Sequence, residues 1–288
     1  MVLLDDQVGP FDRAIYQSVL SPNFPLLRVG DLVKMSAAHD SASVLLPHAI
    51  FVPPGYTSTF YPDVVNPERC RFPSRLLRAF RLFVLGALDL LPAPMAKLRA
   101  AAQAARLADQ AQLLASHAIT HADPAVSDAS RLLRVSFVSR RPYNRFVEHS
   151  FMARQVANED NVLDALRSLR GLQVKRHDFA LHRFEEQLEI FANSDLLIGM
   201  HGAALAGQVF MPPHAGVLEL WSTEQLWNCF EHLARISDRP YFRWVNRNSA
   251  MFRKNQTGDY TTVDVDAFLR LAMQAVAEVQ AAKFGREW

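Results

Sequence analysis

The residues best suited to chemistry are concentrated in DLLIGMHGAALAGQVF at positions 195–210. An apolar run in this stretch leads into a turn and then into a helical segment. The small residues of the turn are Gly199, Gly202, Ala203 and Ala204. In a doubly wound sheet, ligands bind at the carboxyl ends of the strands, and the N–H groups and dipole of a following helix favour phosphate. The stretch therefore predicts a pyrophosphate site, in which His201 neutralises charge on a leaving diphosphate.

A structural explanation of the same stretch competes with this one. Small residues also permit tight packing of a strand against a helix, and His201 can be an ordinary surface histidine. The spacing GxHGAxL differs from the dinucleotide fingerprint GxGxxG, and the chain has neither a Walker lysine motif nor a serine nucleophile elbow. Dehydrogenases, P-loop NTPases and serine hydrolases are therefore disfavoured.

Polar residues at the ends of two neighbouring predicted strands are expected at the same edge. Glu219 ends the run GVLEL, where its carboxylate can accept hydrogen bonds from ribose hydroxyls or simply be solvated. Ser139 and Arg140 end another run, and Arg140 is our first choice for a phosphate ligand because arginine binds phosphate bidentately. The alternatives are Arg141, Arg145 and Arg154. A cluster of arginines is usually a solvated face.

The elements that must position these residues follow an alternating pattern from residue 133 onward. The predicted strands are residues 133–138, 171–174, 195–199, 216–220 and 241–245. The predicted helices are residues 159–169, 183–192, 203–210, 223–236 and 263–282. Strands that alternate with helices favour an α/β fold with a parallel sheet covered on both faces.

The first part of the chain has a different character. Up to about residue 94 it is rich in proline and short apolar runs, which indicates strands and loops. Residues 95–118 are mainly alanine, leucine, glutamine and arginine and predict a long helix, followed by a linker at 119–128. We therefore predict two domains, residues 1–130 and residues 131–288.

Composition argues against several kinds of partner and site. Lys and Arg total 31 against 29 for Asp and Glu, so a net charge of +2 creates no field that would attract nucleic acid. The longest apolar stretch, FVLGALDLL, is far shorter than the roughly 20 residues of a membrane span, and the first residues lack a secretory signal. Cys70 and Cys229 lack metal-site spacing; we interpret them as buried free thiols, with a bridge between them as the alternative.

Six short motifs occur in an order that resembles glycosyltransferase family 61. They are SRR at 139–141, ARQVANE at 153–159, EQL at 186–188, IGMHGAAL at 198–205, VFMP at 209–212 and VLEL at 217–220. The resemblance covers about residues 134–221, and the ordered set is specific although each motif alone is weak.

This resemblance implies a GT-B-like fold of two Rossmann-like domains, with the N-terminal one shortened. It implies a UDP-sugar donor, a glycoprotein or polysaccharide acceptor, and an inverting reaction with no obligatory metal or other cofactor. The implied donor-binding residues are Ser139, Arg140, Arg154, Asn158, Gly202, Ala203, Ala204 and Glu219, with His201 as the catalytic residue on the leaving-group side. For Asn158 we place helix N-capping ahead of donor contact.

The expected reaction is an in-line displacement by an acceptor hydroxyl. The candidates for the general base are His39, Asp40, His48 and Asp63, among which the sequence does not choose. Family members carry a longer acceptor domain behind a signal or anchor, which implies the Golgi or endoplasmic reticulum lumen. Because only about 130 residues precede the motifs here, a fragment, a cytosolic form or a catalytically inactive nucleotide-binding or scaffold relative is the alternative.

Overall fold

The computed structural model describes residues 2–3, 12–38, 73–91, 132–140, 154–224, 227–255 and 258–285. Its strands are β1 (Val2–Leu3), β2 (Leu27–Arg28), β3 (Leu133–Ser139), β4 (Arg154–Val156), β5 (Leu172–Asp178), β6 (Leu196–Met200), β7 (Gly216–Trp221), β8 (Tyr241–Val245), β9 (Phe252–Asn255) and β10 (Gly258–Thr261). Its α-helices are α1 (Val29–Ala38), α2 (Arg75–Ala87), α3 (Glu159–Ser168), α4 (Phe184–Ala192), α5 (Cys229–Ile236) and α6 (Val265–Phe284). A π-helix covers Asp12–Leu20, and 3₁₀ helices cover Phe179–Leu181, Ala203–Phe210 and Ser249–Met251.

Five parallel strands form the central sheet in the order β5-β3-β6-β7-β8. The chain runs from β3 outward to β5 and then returns to the other side of β3 to form β6. This reversal is the topological switch point of a doubly wound sheet, and ligands bind outside the carboxyl ends of the two strands that flank it. All five strands predicted in this region are confirmed, and the fold is α/β with a parallel, Rossmann-like sheet.

Helices cover both faces of the sheet because successive side chains of each strand point to opposite sides. On β6, Ile198 packs into the core shared with α3 and α6, whereas Leu197 packs into the core shared with α2 and α4. Every residue of β6 and β7 is buried, as expected for strands covered on both faces. The 3₁₀ helix Ala203–Phe210 also packs on the second face.

A buried carboxylate ties several elements together at the amino-terminal edge of the sheet. Asp195 is fully buried and accepts hydrogen bonds from the backbone N–H of Arg134 at 2.8 Å and from Nζ of Lys283 at 2.9 Å. Nε2 of His214 lies 2.7 Å from its other oxygen. Burial opposes ionisation of Asp195, but these hydrogen bonds outweigh it and lower the pKa of the carboxyl well below its usual value. The charge therefore joins β3, α6 and the loop before β7.

The helix predictions for the second half are confirmed for α3, α4 and α6 within two residues at each end. For the helix predicted at 223–236, the structure has α5 over Cys229–Ile236, which is shorter than predicted. The predicted helix at 203–210 occupies that span but is a 3₁₀ helix.

The prediction of strands and loops before residue 94 is wrong for much of the described part, which contains the π-helix, α1 and α2. The helix α2 begins after Ser74, whose hydroxyl accepts from the N–H of Leu77 as an N-cap. Its buried face, with Val84 and Leu85, shares the core that contains Leu197. The helical period of this segment decides its structure, and the prolines on either side of it do not prevent the helix.

The long helix predicted at 95–118 and the linker at 119–128 lie outside the described residues, and the domain boundary near residue 130 stays a prediction. A small sheet that we did not predict has the order β4-β10-β9, with β4 parallel and β9 antiparallel to β10. In the described ranges, no helix combines the length and apolar character that crossing a membrane requires.

Candidate functional site

The candidate site begins in the turn that follows β6. The backbone N–H of His201 donates to the carbonyl of Leu220 at 2.9 Å, so the turn stays attached to β7. In the sheet Gly199 lies beside Glu219, and His201 comes two residues after Gly199 on the same face. The turn therefore brings the imidazole of His201 against the carboxylate of Glu219.

His201 and Glu219 form a buried pair. Nδ1 of His201 lies 2.5 Å from Oε1 of Glu219, and their side chains are 5% and 0% exposed. The alternatives of an ordinary surface histidine and a solvated carboxylate are therefore wrong. Within the described part of the chain, Nε2 of His201 makes no hydrogen bond. This nitrogen is the one left for a ligand.

Two residues of β8 hold Glu219 from its other side. The hydroxyl of Tyr241 donates to Oε2 of Glu219, and Nε of Arg243 lies 3.6 Å from the same oxygen. Arg243 also donates to Tyr241 at 2.8 Å and to Glu231 at 3.1 Å. Burial and the negative charge of Glu219 raise the pKa of Tyr241, so its hydroxyl stays a proton donor.

Sequence reasoning missed Tyr241 and Arg243 as parts of the site. The available signal was their spacing of two in YFRWV, which places both on one face of a strand. What the sequence does not show is that β8 lies beside β7 with Arg243 opposite Glu219.

Aromatic rings surround the imidazole of His201. The ring of Trp221 lies 4.0 Å from it between centroids, and that of Phe230 lies 5.0 Å away. Trp227 stands perpendicular to it at 6.1 Å and is 54% exposed. These rings limit the access of water to the His201–Glu219 pair, which strengthens electrostatic interactions there.

Arg140 reaches the same turn from the end of β3. Its Nη1 donates to the carbonyl of His201 at 3.1 Å. A β-carbon on Gly202 would lie 1.8 Å from Nη2 of Arg140, so the guanidinium occupies the space that glycine leaves open. The structure thus brings Arg140, His201 and Gly202 together at the switch point between β3 and β6.

Ala203 and Ala204 form the first turn of the 3₁₀ helix. The first hydrogen bond of this turn runs from the N–H of Leu205 to the carbonyl of Gly202 at 2.9 Å. The N–H groups of Ala203 and Ala204 precede it and have no acceptor within the helix, so this helix end suits an anion.

The remaining predicted donor residues have clear structural partners. The hydroxyl of Ser139 donates to Glu159 at 2.7 Å. The amide of Asn158 donates to the carbonyl of Val263 at 2.9 Å and accepts from its N–H at 2.8 Å. Asn158 is the N-cap residue of α3, as predicted, but its side chain makes no cap hydrogen bond. Arg154 opens β4 opposite Asp259 of β10. Donor contacts of these three residues stay predictions, as does a contact of Glu219 with ribose.

Other predicted residues fall outside the described ranges. These are Arg141, Arg145, Cys70 and the general-base candidates His39, Asp40, His48 and Asp63. Cys229 is half-buried and has a free thiol. Burial, together with the nearby charge of Glu219, raises the pKa of that thiol to about 11. In the ranges that the structure describes, no three His, Cys, Asp or Glu residues are grouped so that they could hold a metal ion.

Comparison with known proteins gives consistent matches. The family model described as Glycosyltransferase 61 matches residues 37–218. The EGF domain-specific O-linked N-acetylglucosamine transferase of Gallus gallus is 34% identical over 139 residues, which is 44% of this chain and 25% of the relative. The protein of the same name from Drosophila melanogaster is 36% identical over 116 residues, covering 40% and 20%. The Mus musculus protein is 32% identical over 139 residues, covering 44% and 26%.

The chain spans about a quarter of the length of these relatives. The family match covers well over half of the chain and includes β3, the turn at His201 and the first half of β7. The chain belongs to glycosyltransferase family 61, a family of glycosyltransferase enzymes.

Proposed function

We propose that this chain is a glycosyltransferase that moves a sugar from a UDP-sugar to a hydroxyl group, with inversion and without a metal. The observation that carries the proposal is the buried His201–Glu219 pair beside Arg140 and the Gly202 turn, at the switch point of the sheet. A nucleotide bound at that edge would place its diphosphate against a guanidinium and a helix amino terminus, both of which favour phosphate.

In the proposed mechanism, the acceptor hydroxyl attacks the anomeric carbon and gives up its proton to a general base. The bond between that carbon and the diphosphate oxygen breaks, and the charge that develops on the leaving diphosphate is stabilised. Arg140 and the N–H groups of Ala203 and Ala204 donate hydrogen bonds to the phosphate oxygens and stabilise their negative charge. Nε2 of His201 donates a proton or a hydrogen bond to the leaving oxygen, while Glu219 stabilises the imidazolium across Nδ1. Tyr241 and Arg243 keep the carboxylate of Glu219 in place, so that little reorganisation is needed during the reaction.

The names of the relatives suggest which sugar and acceptor to test first. They are named as N-acetylglucosamine transferases specific for EGF domains, so UDP-N-acetylglucosamine and a folded EGF domain are the first donor and acceptor to try. We extend the proposal to a GT-B-like arrangement with a second, shortened acceptor domain in residues 1–130, and to residence in the Golgi or endoplasmic reticulum lumen. These extensions rest on family membership.

The test is calorimetric titration of the purified chain with UDP, first in EDTA and then with Mg²⁺ or Mn²⁺. We expect saturable binding in EDTA. Arg140→Ala should weaken it roughly tenfold or more, because a hydrogen bond to a charged group contributes about 1.5–3 kcal/mol. The matched control is Arg270→Ala, which removes an exposed arginine of α6.

His201→Ala should abolish transfer of N-acetylglucosamine from UDP-N-acetylglucosamine and reduce UDP affinity less than Arg140→Ala does. UDP binding without transfer to any acceptor would favour a catalytically inactive nucleotide-binding relative. Absence of UDP binding by a folded chain would exclude the proposed donor site.

A further inference from the structure

A cavity with mainly apolar walls and three arginines lies at the amino-terminal edge of the sheet, at the other end of the strands from the His201 turn. It has a volume of about 110 Å³ and lies between α2 and the segments that precede β7 and β8. The lining residues that matter here are Leu77, Arg78, Arg81, Met211, Ser237 and Arg239. The two sites are separated by the length of β7, which has six residues and is therefore roughly 20 Å long.

Two arginines of this cavity are buried without a carboxylate. Arg81 and Arg239 are 6% and 9% exposed. Nε of Arg81 donates to the carbonyl of Phe210 at 3.0 Å, and Nη1 of Arg239 donates to the carbonyl of Ala215 at 3.1 Å. In the described part of the chain neither guanidinium forms an ion pair. Backbone carbonyls satisfy donors but carry no net charge, so neither positive charge is compensated by a carboxylate of the residues that the structure describes.

Burial of the two guanidinium groups disfavours their charged form and so lowers the pKa of both arginines. Burial lowers the pKa of Arg81 to about 10. Burial, reinforced by repulsion from Arg81 and Arg78, lowers the pKa of Arg239 to about 9. Arg78 at the rim is half-exposed and pairs with Asp238 at 2.6 Å, so this carboxylate serves the outer arginine and not the inner two.

Two further donors of the cavity are buried without partners. Nε of Arg239 and the hydroxyl of Ser237 make no hydrogen bond within the described residues, and Ser237 is 7% exposed. A buried donor that is left unsatisfied costs about 1–3 kcal/mol, so such groups usually serve a purpose. Both belong to the turn between α5 and β8, and both line the same cavity as Arg81.

We propose that this cavity binds a divalent oxyanion, either inorganic phosphate or the phosphate group of a monoester. Two guanidinium groups match the charge of a dianion, whereas a carboxylate would leave one of them uncompensated. Arginine binds phosphate through paired N–H groups, and the hydroxyl of Ser237 supplies an additional donor. The site is independent of the nucleotide site and of the transferase reaction.

The test is calorimetric titration with inorganic phosphate in chloride buffer at constant ionic strength. It is done on the Arg140→Ala chain, so that the proposed nucleotide site contributes less. We expect saturable binding, weakened roughly tenfold by Ser237→Ala, because a hydrogen bond to a charged group is lost. Arg239→Lys should weaken it at least as much, since lysine lacks the guanidinium fork.

Ser237→Ala is the decisive variant because the hydroxyl loses no hydrogen bond to the residues that the structure describes, so we expect the fold to be unaffected. If the arginines only hold the carbonyls of residues 210–215, Ser237→Ala will not change phosphate binding, and the proposal is wrong. It is equally wrong if the folded chain shows no saturable phosphate binding, or if acetate competes as well as sulfate does. Competition by O-phosphoserine would identify a site for phosphate monoesters, and binding of inorganic phosphate alone would identify a closed ion site. The proposed UDP binding can fail without affecting any of these results.

Discussion

Gly202 is held close to Arg140, and this single contact links the turn after β6 to the end of β3. A β-carbon at position 202 would lie 1.8 Å from Nη2 and 2.5 Å from Cζ of Arg140. The group that would have to move is the far end of a flexible side chain and not the backbone. A larger residue here should therefore disturb ligand binding more than folding.

We expect Gly202→Ala to weaken UDP binding roughly tenfold while it shifts the thermal unfolding midpoint little. The physical reason is displacement of the guanidinium from the phosphate position. A double-mutant cycle with Arg140→Ala checks this mechanism. If the glycine acts through Arg140, the double variant binds UDP no more weakly than Arg140→Ala alone. Additive losses would show that Gly202 contributes independently.

The influence of the Glu219 charge can be measured through the pKa of a nearby thiol, that of Cys229. Cys229 opens α5, and its thiol pKa is raised to about 11 by burial first and by the charge of Glu219 second. Glu219→Gln removes the second cause. We expect the pKa of Cys229 to fall, so that alkylation by iodoacetamide becomes faster at a given pH below 11.

The alkylation experiment is best done with Cys70→Ser, which leaves one reactive thiol. Tyr241→Phe is the matched control, because it removes a hydrogen bond to Glu219 but keeps the charge. An unchanged pH profile in Glu219→Gln would contradict the expected influence of Glu219 on the thiol.

At the scale of elements, Asp195 joins β3, α6 and the loop before β7 through one buried charge. Its pKa in the folded chain lies well below the ordinary value of 3.8. A lowered pKa contributes stability that is present above the pKa of the unfolded chain and is lost as the pH falls toward the folded value. The stability that Asp195 contributes is therefore lost as the pH falls from about 4 toward lower values.

We expect Asp195→Asn to reduce the free energy of unfolding at pH 7 by about 3–5 kcal/mol, because Lys283 loses its buried partner. The loss of stability between pH 5 and pH 3 should also be shallower in this variant than in the original chain. Denaturant titrations at several pH values measure both effects. The control is Asp160→Asn, which removes an exposed carboxylate 2.7 Å from Arg176 and should cost about 1 kcal/mol or less.

The contact between the 3₁₀ helix Ala203–Phe210 and α4 depends on another glycine. A β-carbon on Gly207 would lie 2.1 Å from the ring of Phe191. Unlike Arg140, this ring is buried in the core and cannot move away. The close approach sets the distance between the two helices.

Gly207→Ala should therefore destabilise the fold by about 1–3 kcal/mol through overpacking. Ala206→Ser, on the exposed side of the same helix, should change stability by about 0.5 kcal/mol or less. Chemical denaturation of both variants measures the difference. Equal stability of the two would mean that the helix can shift away from α4.

At the scale of the whole molecule, a ligand that binds the folded chain and not the unfolded chain must stabilise the fold. If UDP binds at the switch point, a concentration one hundred times the dissociation constant should add about 2.7 kcal/mol to the free energy of unfolding. We expect the thermal midpoint to rise by the same amount in EDTA and in Mg²⁺. A rise that requires Mg²⁺ would contradict metal-independent binding, and no rise in either condition would contradict UDP binding.

The sequence by itself determined most of the local secondary structure of the second half and, through its ordered motifs, the membership in glycosyltransferase family 61. The five strands of the parallel sheet, the turn at His201 and the helices α3, α4 and α6 follow from hydrophobic periodicity, small residues and propensity, all of which act over a few residues. The ordered motifs between residues 139 and 220 pointed to family 61, and the family match agrees. Helix α2 was also readable locally, from its period and its Ser74 cap.

Only the tertiary structure decided which residues meet. The return of the chain past β3 places Arg140 against Gly202, and the pairing of β7 with β8 buries Glu219 between His201, Tyr241 and Arg243. Asn158 lies at the N-cap position of α3, but its side-chain amide forms hydrogen bonds with the backbone of Val263, which is 105 residues away. The cavity with Arg81 and Arg239 joins segments that are still farther apart in sequence, since Arg81 bonds the carbonyl of Phe210, 129 residues away. Strand order and long-range packing depend on the free energy of the whole chain, and local patterns do not specify them.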